Sequence, residues 1–368
     1  LKGFRVKLGP GLSVMEEEKS EGEDFLEKSV GQKGAPGSPP PHHFEAIVLD
    51  KIDPNLFLAR PENLKKPHAM ARAVFGGQVL GQALAAASQT VVDGLSVHSL
   101  HAYFVRAGQP AHPIIYDVRR IRDGNSFATR SVAAKQEGQW IFTMQASFQK
   151  PEGYSVCHQA QMPEVPDPES LPQEAERYQQ LLQDPEVQPL VKQILKYKKR
   201  ETYNPMDVRV ILDSLNWNTE EARKKREQYA LSGLGMPSQL LWFRVKERLP
   251  DDEHVHHAVL AYQSDAELLS TARVELPWRS FWEAKPMMAS LDHAMWFHHT
   301  FPRWRADEWL LYVMYSPRMT GARGLSHGHI FTRDGWLVVS CSQEGLIRFG
   351  KDRGLPPSKR PSEKRSKL

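Results

Sequence analysis

Phe75-Gly76-Gly77-Gln78-Val79-Leu80-Gly81-Gln82-Ala83-Leu84-Ala85-Ala86-Ala87, residues 75–87, is the stretch on which the fold turns. Its apolar residues at 79, 80, 83, 84, 86 and 87 carry helical spacing. The paired glycines permit a tight start and close backbone approach. The run is rich enough in small residues for another element to pack close around it. Outward from the helix the period changes to that of strands. Residues 44–49 read as a strand before it. After Asp93-Gly94, strand-like stretches follow at 97–106, 113–122, 126–136 and 139–148. Arg122-Asp123-Gly124-Asn125 and Glu137-Gly138 supply turns between them. The order is strand, long helix, antiparallel meander.

From Met206 the pattern recurs. Stretches 208–212 and 240–245 are strand-like, 256–269 has helical spacing, and 289–297, 309–315, 328–332 and 336–342 read as strands, with Arg333-Asp334-Gly335 as a turn. This is a duplication of architecture rather than of evident sequence, and it places the chain in the α+β class. The expected organisation is a leader over 1–42, a first half over 43–150, a linker over 151–205, a second half over 206–350 and a basic tail over 351–368. The leader joins an acidic cluster (Glu16-Glu17-Glu18, Glu21, Glu23, Asp24) to a Gly/Pro-rich run, a composition that cannot build a core. The linker is rich in Pro, Gln and Glu, with a polar helix expected near 174–182. Its basic end, from Lys192 to Arg200, reads as a solvated helix face.

The chain has 368 residues, 40% hydrophobic and 25% charged, and a formal net charge of +4. The tail alone holds seven Lys/Arg against two acids, enough to account for the whole excess. The remainder is near neutral, which argues against a broad basic face for nucleic acid and leaves room for a local basic patch on a ligand with a few phosphates. Two cysteines, Cys157 and Cys341, make neither a disulfide framework nor a zinc motif and fit a reducing compartment. No apolar run is long enough to span a membrane. Leu1 in place of Met implies a start that is processed or lies upstream. Ser366-Lys367-Leu368 reads as a peroxisomal address, recognised by an import receptor.

Several blocks, in order, carry a resemblance. They are Phe75-Gly76-Gly77-Gln78, the run 99–108, Arg122-Asp123-Gly124-Asn125-Ser126-Phe127 and Gln145-Ala146-Ser147-Phe148-Gln149. Ser264-Asp265, the run 290–298 and Ser342-Gln343-Glu344-Gly345-Leu346-Ile347-Arg348 continue the series. Over about 43–350 the chain resembles the type II acyl-coenzyme A thioesterases, and with its last three residues the peroxisomal branch of that family. The resemblance implies a double hotdog, in which each half wraps a curved antiparallel sheet around one long helix. It implies hydrolysis of acyl-CoA to a free acid and CoA in the peroxisomal matrix, without a metal or redox cofactor, by a chain that forms homo-oligomers. By motif, the family's catalytic Asp, Ser/Thr and Gln fall on Asp265, Ser290 and Gln343. One departure stands out: where the family has a short Pro-Phe-Arg-Ala-Asp stretch, this chain is lengthened between His298 and Asp307.

The residue types suit the chemistry. A thioester carbonyl is open to direct attack by water that is held and partly deprotonated. Asp265 can accept the proton, while the Ser290 hydroxyl and the Gln343 amide donate and accept hydrogen bonds that fix the water. On this reading no acyl-enzyme forms. Asp292 and His293 are read as support for their strand. Arg106, Arg122, Arg323 and Arg348 are candidate cations for the CoA phosphates. Two alternatives are a hotdog-fold enoyl-CoA hydratase, whose Asp/His pair is not found in its motif, and an inactive acyl-CoA-binding hotdog, against which the complete set of three argues. Two further patterns attract attention. Gly324-Leu325-Ser326-His327-Gly328 fits G-x-S-x-G, but a nucleophile elbow needs a strand before and a helix after, and this context is a loop entering a strand. Glu253-His254-Val255-His256-His257 lacks the spacing of a zinc helix.

Overall fold

The computed structural model describes residues 44–67, 71–153, 156–183, 205–212, 238–274, 287–298 and 302–349, with Lys192, Lys224, Gln228 and Met236 singly. The leader, the basic run at 193–200 and the tail lie outside the described residues. Four α-helices are present among them: α1 (Gly76–Ser88), α2 (Glu174–Gln183), α3 (Glu253–Ser264) and the single turn α4 (Leu268–Thr271). No helix among the described residues is long and apolar enough to cross a membrane.

The strands of the first half are β1 (Asp50–Asp53), β2 (Leu56–Ala59), β3 (Ser96–Phe104), β4 (Ile114–Asp123), β5 (Phe127–Gln136) and β6 (Gln139–Gln149). Those of the second are β7 (Met206–Leu212), β8 (Ser238–Val245), β9 (Met287–Ser290), β10 (Asp292–Phe297), β11 (Leu310–Thr320), β12 (Arg323–Thr332) and β13 (Leu337–Arg348). All belong to one antiparallel sheet, in the order β1-β2-β4-β5-β6-β3-β10-β13-β12-β11-β8-β7, with β9 beside β13. The order reads the same way outward from its middle, where Ala294 of β10 lies opposite His101 of β3. The set β4-β5-β6-β3 answers to β11-β12-β13-β10. Matching hairpin glycines with positive φ, Gly138 and Gly335, close β5–β6 and β12–β13. Matching buried tyrosines donate inward, Tyr116 Oη to Gln82 Oε1 at 2.7 Å and Tyr312 Oη to the Ser264 carbonyl at 2.6 Å.

The core lies between this sheet and the helices. Leu80, Ala83 and Leu84 of α1 are fully buried, as are Phe142 and Phe148 of β6. What packs close against the small residues of α1 is α3. A Cβ on Gly77 would stand 2.2 Å from the Tyr262 carbonyl oxygen, and one on Gly81 2.7 Å from that of Ala258. The pairing of 77 with 262 and 81 with 258 makes the two helices antiparallel at backbone contact.

Two sequence expectations need correction. Residues 44–49 are not a strand; Glu45–Ile47 is a 3-10 turn, because the Ala46 carbonyl is taken by the buried Gln78 and Gln82 side chains of α1, both at 2.9 Å. The sheet begins instead with the β1–β2 hairpin around Pro54-Asn55. The stretch 289–297 is two strands interrupted at Leu291. Part of the linker covers the outer face of the second half: Trp242 Nε1 donates to the Pro166 carbonyl at 2.9 Å, and Met162, Val165 and Leu171 pack over a cluster that includes Leu240, Trp242, Leu311 and Phe331. The lengthened loop is anchored at its end by Arg305, which donates to Asp307 (2.8 Å) and the Leu249 carbonyl (2.8 Å).

Alanine at a helix interior is ordinarily about 1 kcal/mol better than glycine. At position 81 the added methyl meets backbone, so Gly81→Ala is expected to destabilise by about 1–3 kcal/mol. Denaturant unfolding checks this, and a gain in stability would contradict the helix contact.

Candidate active site

Asp265 is the C-cap residue of α3, and Gln343 projects from the middle of β13 toward it. Ser290 reaches the same place through an irregularity. In regular register with β13, as at Ala294 opposite Ser342, Ser290 would share the outward face of Asp292 and Ala294. One extra residue intervenes. Leu291 donates its N–H to the Glu344 carbonyl (2.9 Å), its own carbonyl accepts from Phe104 N–H (2.9 Å), and Ser290 falls opposite Gly345. This bulge turns the hydroxyl inward.

All three sequence-expected residues therefore meet. The Gln343 Nε2 donates to Asp265 Oδ1 and to Ser290 Oγ (2.9 Å), and Ser290 Oγ donates to Asp265 Oδ1 at 3.3 Å. A carboxylate accepts only, so the amide must present its nitrogen. Its oxygen, Oε1, is then left buried with no hydrogen-bond partner among the described residues. Burial raises the Asp265 pKa above the ordinary carboxylate value, opposed in turn by the Gln343 amide, the Gly77 backbone N–H and the Ser290 hydroxyl.

The Gly77 contact comes from the first half and was not read from the sequence. The antiparallel helix pair sets the N-terminus of α1 against the carboxylate at the C-terminus of α3, where its positive end favours negative charge. A Cβ at Gly76 would lie 2.8 Å from Asp265 Oδ2 and 3.0 Å from the Phe104 ring. The Gly-Gly pair was the visible signal, and it serves packing (Gly77) and site (Gly76) together.

His293 and Asp292 stand beside the cluster without joining it. His293 is buried, its Nε2 within 2.9 Å of Ser264 Oγ, and desolvation lowers its pKa to about 3, so it is neutral. Asp292 accepts from the Glu344 N–H at 2.8 Å and braces the bulged strands. Of the four candidate phosphate cations, all exposed, Arg106 donates to Gln139 and Arg323 pairs with Glu344 at 2.9 Å. The G-x-S-x-G stretch lies inside β12, where no elbow can form. Among the described residues no group of three His, Cys, Asp or Glu is placed to hold a metal. His256 is engaged by the Pro250 carbonyl (3.0 Å) and the Ala306 N–H (3.1 Å).

Comparisons with known proteins give the family of the chain. Residues 64–149 match the family described as acyl-CoA thioesterase N-terminal domain, and residues 211–346 the family described as acyl-CoA thioesterase. Acyl-coenzyme A thioesterase 8 of Mus musculus is 42% identical over 304 residues, 82% of this chain and 88% of the relative. The chain belongs to the type II acyl-CoA thioesterase family. An acyl-CoA thioesterase II from Mycobacterium marinum, TesB2, is 37% identical with a TM-score of 0.62, covering 86% of this chain and 98% of that one. At 17% identity and a TM-score of 0.59, covering 83% and 97%, a conserved protein with hot dog fold from Alicyclobacillus acidocaldarius shares the fold of this thioesterase. The peroxisomal acyl-coenzyme A thioester hydrolase 1 of Saccharomyces cerevisiae is 26% identical, covering 77% of this chain and 88% of that relative.

The Gln343 amide is the strongest of the hydrogen bonds that hold the Asp265 pKa down. Replacing it by Leu is therefore expected to move the Asp265 titration to still higher pH. Carbon-labelled NMR of the carboxyl reads this directly, and an unmoved titration would remove Gln343 from the network.

Proposed function

We propose that this chain hydrolyses acyl-CoA thioesters to a free fatty acid and CoA by direct attack of water. The observation that carries the proposal is the convergence of Asp265, Ser290 and Gln343 on one point at the N-terminus of α1. The ionised Asp265 takes a proton from the water as its oxygen bonds to the thioester carbon. Ser290 Oγ orients that water, and Gln343 fixes both groups through Nε2. The tetrahedral intermediate then collapses, the carbon–sulfur bond breaks, and the departing thiolate takes the proton back from Asp265. The positive end of α1 favours the negative charge that develops beside it. The rings of Phe75 and Phe104 flank the α1 N-terminus and supply apolar surface for the acyl chain. A hydratase would need a His paired with its Asp, whereas His293 is bonded to Ser264.

The same reading assigns residues 43–150 and 206–350 to two hotdog halves, each holding one long helix, with one reaction centre between them. It gives the protein a homo-oligomeric state and a place in the peroxisomal matrix. The mirrored strand order supports the two halves, and the terminal Ser366-Lys367-Leu368 and the yeast relative support the compartment.

Asp265→Asn is expected to lower kcat by about 10²–10⁴-fold in a thiol-release assay with a saturated acyl-CoA, with circular dichroism unchanged. Near-normal turnover would refute the assignment, and capture of an acyl group on Ser290 with a slow substrate would replace the water mechanism. A fluorescent protein fused ahead of Leu1 is expected to reach peroxisomes, and deletion of 366–368 to disperse it; retained import would move the address elsewhere.

A further inference from the structure

Ser326 is the central residue of the G-x-S-x-G stretch, and the mechanism above makes no use of it. It stands opposite Gln343 in the β12–β13 ladder, on the same inner face of the sheet. Side chains so paired have Cβ atoms about 4.5–5.5 Å apart. Both residues are 0% exposed. The Ser326 Oγ and the Gln343 Oε1 are each buried with no partner among the described residues. Leaving one such group unsatisfied costs about 1–3 kcal/mol, and here two of them belong to directly paired residues.

The first half shows what a purely structural solution looks like at this place. Counted from the hairpin glycines Gly335 and Gly138, Gln343 answers to Ala146, and Ser326, its ladder partner, answers to Arg130, the ladder partner of Ala146. There nothing is left over. The Arg130 guanidinium fills the space and donates to Thr90 Oγ1 (2.8 Å), the Thr90 carbonyl (2.9 Å), the Arg122 carbonyl (2.9 Å), the Thr129 carbonyl (3.0 Å) and Asp123. The small hydroxyl of Ser326 is the opposite choice. It leaves the Gln343 amide oxygen without a donor on the cross-strand neighbour.

We propose that Ser326 is a positioning residue, which with Gln343 Oε1 holds one ordered water and so locks the Gln343 amide with its nitrogen toward Asp265 and Ser290. The inference rests on the hydrolytic reading of the site. A water that donates to Oε1 and exchanges a hydrogen bond with Ser326 Oγ satisfies both orphaned atoms. It also selects one of two amide orientations. The flipped amide would set its oxygen against the Asp265 carboxylate and lose both hydrogen bonds from Nε2.

The test is Ser326→Ala in the full chain, assayed by thiol release over a range of pH. The expected result is a roughly tenfold fall in kcat, which is about 1.4 kcal/mol, with KM little changed. The acidic limb of the pH–rate profile should move to higher pH, because an amide that is no longer held supports ionised Asp265 less well. A packing role would not move that limb. In a Gln343→Ala background the same substitution should have no further effect on kcat. Wild-type kcat with an unmoved limb, or additive losses in the double variant, would overturn the inference. So would a high-resolution crystal structure with no water between the two atoms. Asp265→Asn separates this failure from that of the hydrolytic reading. If it is inactive while Ser326→Ala behaves as wild type, only the role of Ser326 falls.

Discussion

The carbonyl oxygens of Tyr262 and Ala258 occupy the places where side chains at 77 and 81 would begin. The placing of Asp265 beside the N-terminus of α1 descends from that contact. Because α1 and α3 touch backbone to backbone and run oppositely, the first turn of one helix meets the last residue of the other. A carboxylate at a helix C-terminus is badly placed by its own helix, whose dipole is negative there. The N-terminus of the neighbouring helix offsets this, and the Gly77 N–H bonds the carboxyl directly. Neither half supplies both terms, so the centre is a property of the pair.

As the proposed base, Asp265 carries two opposed demands. A base must be ionised at working pH, yet a buried carboxyl resists ionisation. The structure meets the second demand by desolvation and moderates it with three donors of different origin: a side chain from β13, a hydroxyl from β9 and a backbone amide from α1. The outcome is a raised pKa, which brings the group nearer to the range in which a general base is effective. His293, bonded to the adjacent Ser264, is kept neutral by its burial and adds no competing charge.

Much of this was legible beforehand. The helix at 76–88, the meander after it and its recurrence after Met206 follow from periodicity and turn chemistry, and the motif blocks single out Asp265, Ser290 and Gln343, which the structure brings together. The misreadings have a common physical origin. Phe44 to Leu49 has strand composition, but buried glutamines thirty-odd residues onward claim its carbonyl, and no local pattern encodes a partner that distant. The break at Leu291 is likewise invisible, since Ala289, Ser290 and Leu291 all suit a continuous strand. The role of Gly77 needed the helix crossing to be seen. Ser326 was noticed for a pattern that belongs to another fold, and only its register gives it meaning.

The bulge at Leu291 carries a consequence for how this protein can change. A strand tolerates many substitutions but counts its residues in twos. Were Leu291 drawn into regular pairing, the sheet would stay paired and the core filled, but Ser290 would move from opposite Gly345 to opposite Leu346 and its hydroxyl would turn to solvent. The pairing register at this point is therefore inherited information, as exacting as the identity of the residue it aims. Drift can rewrite the letters of this segment far more freely than it can shift their pairing.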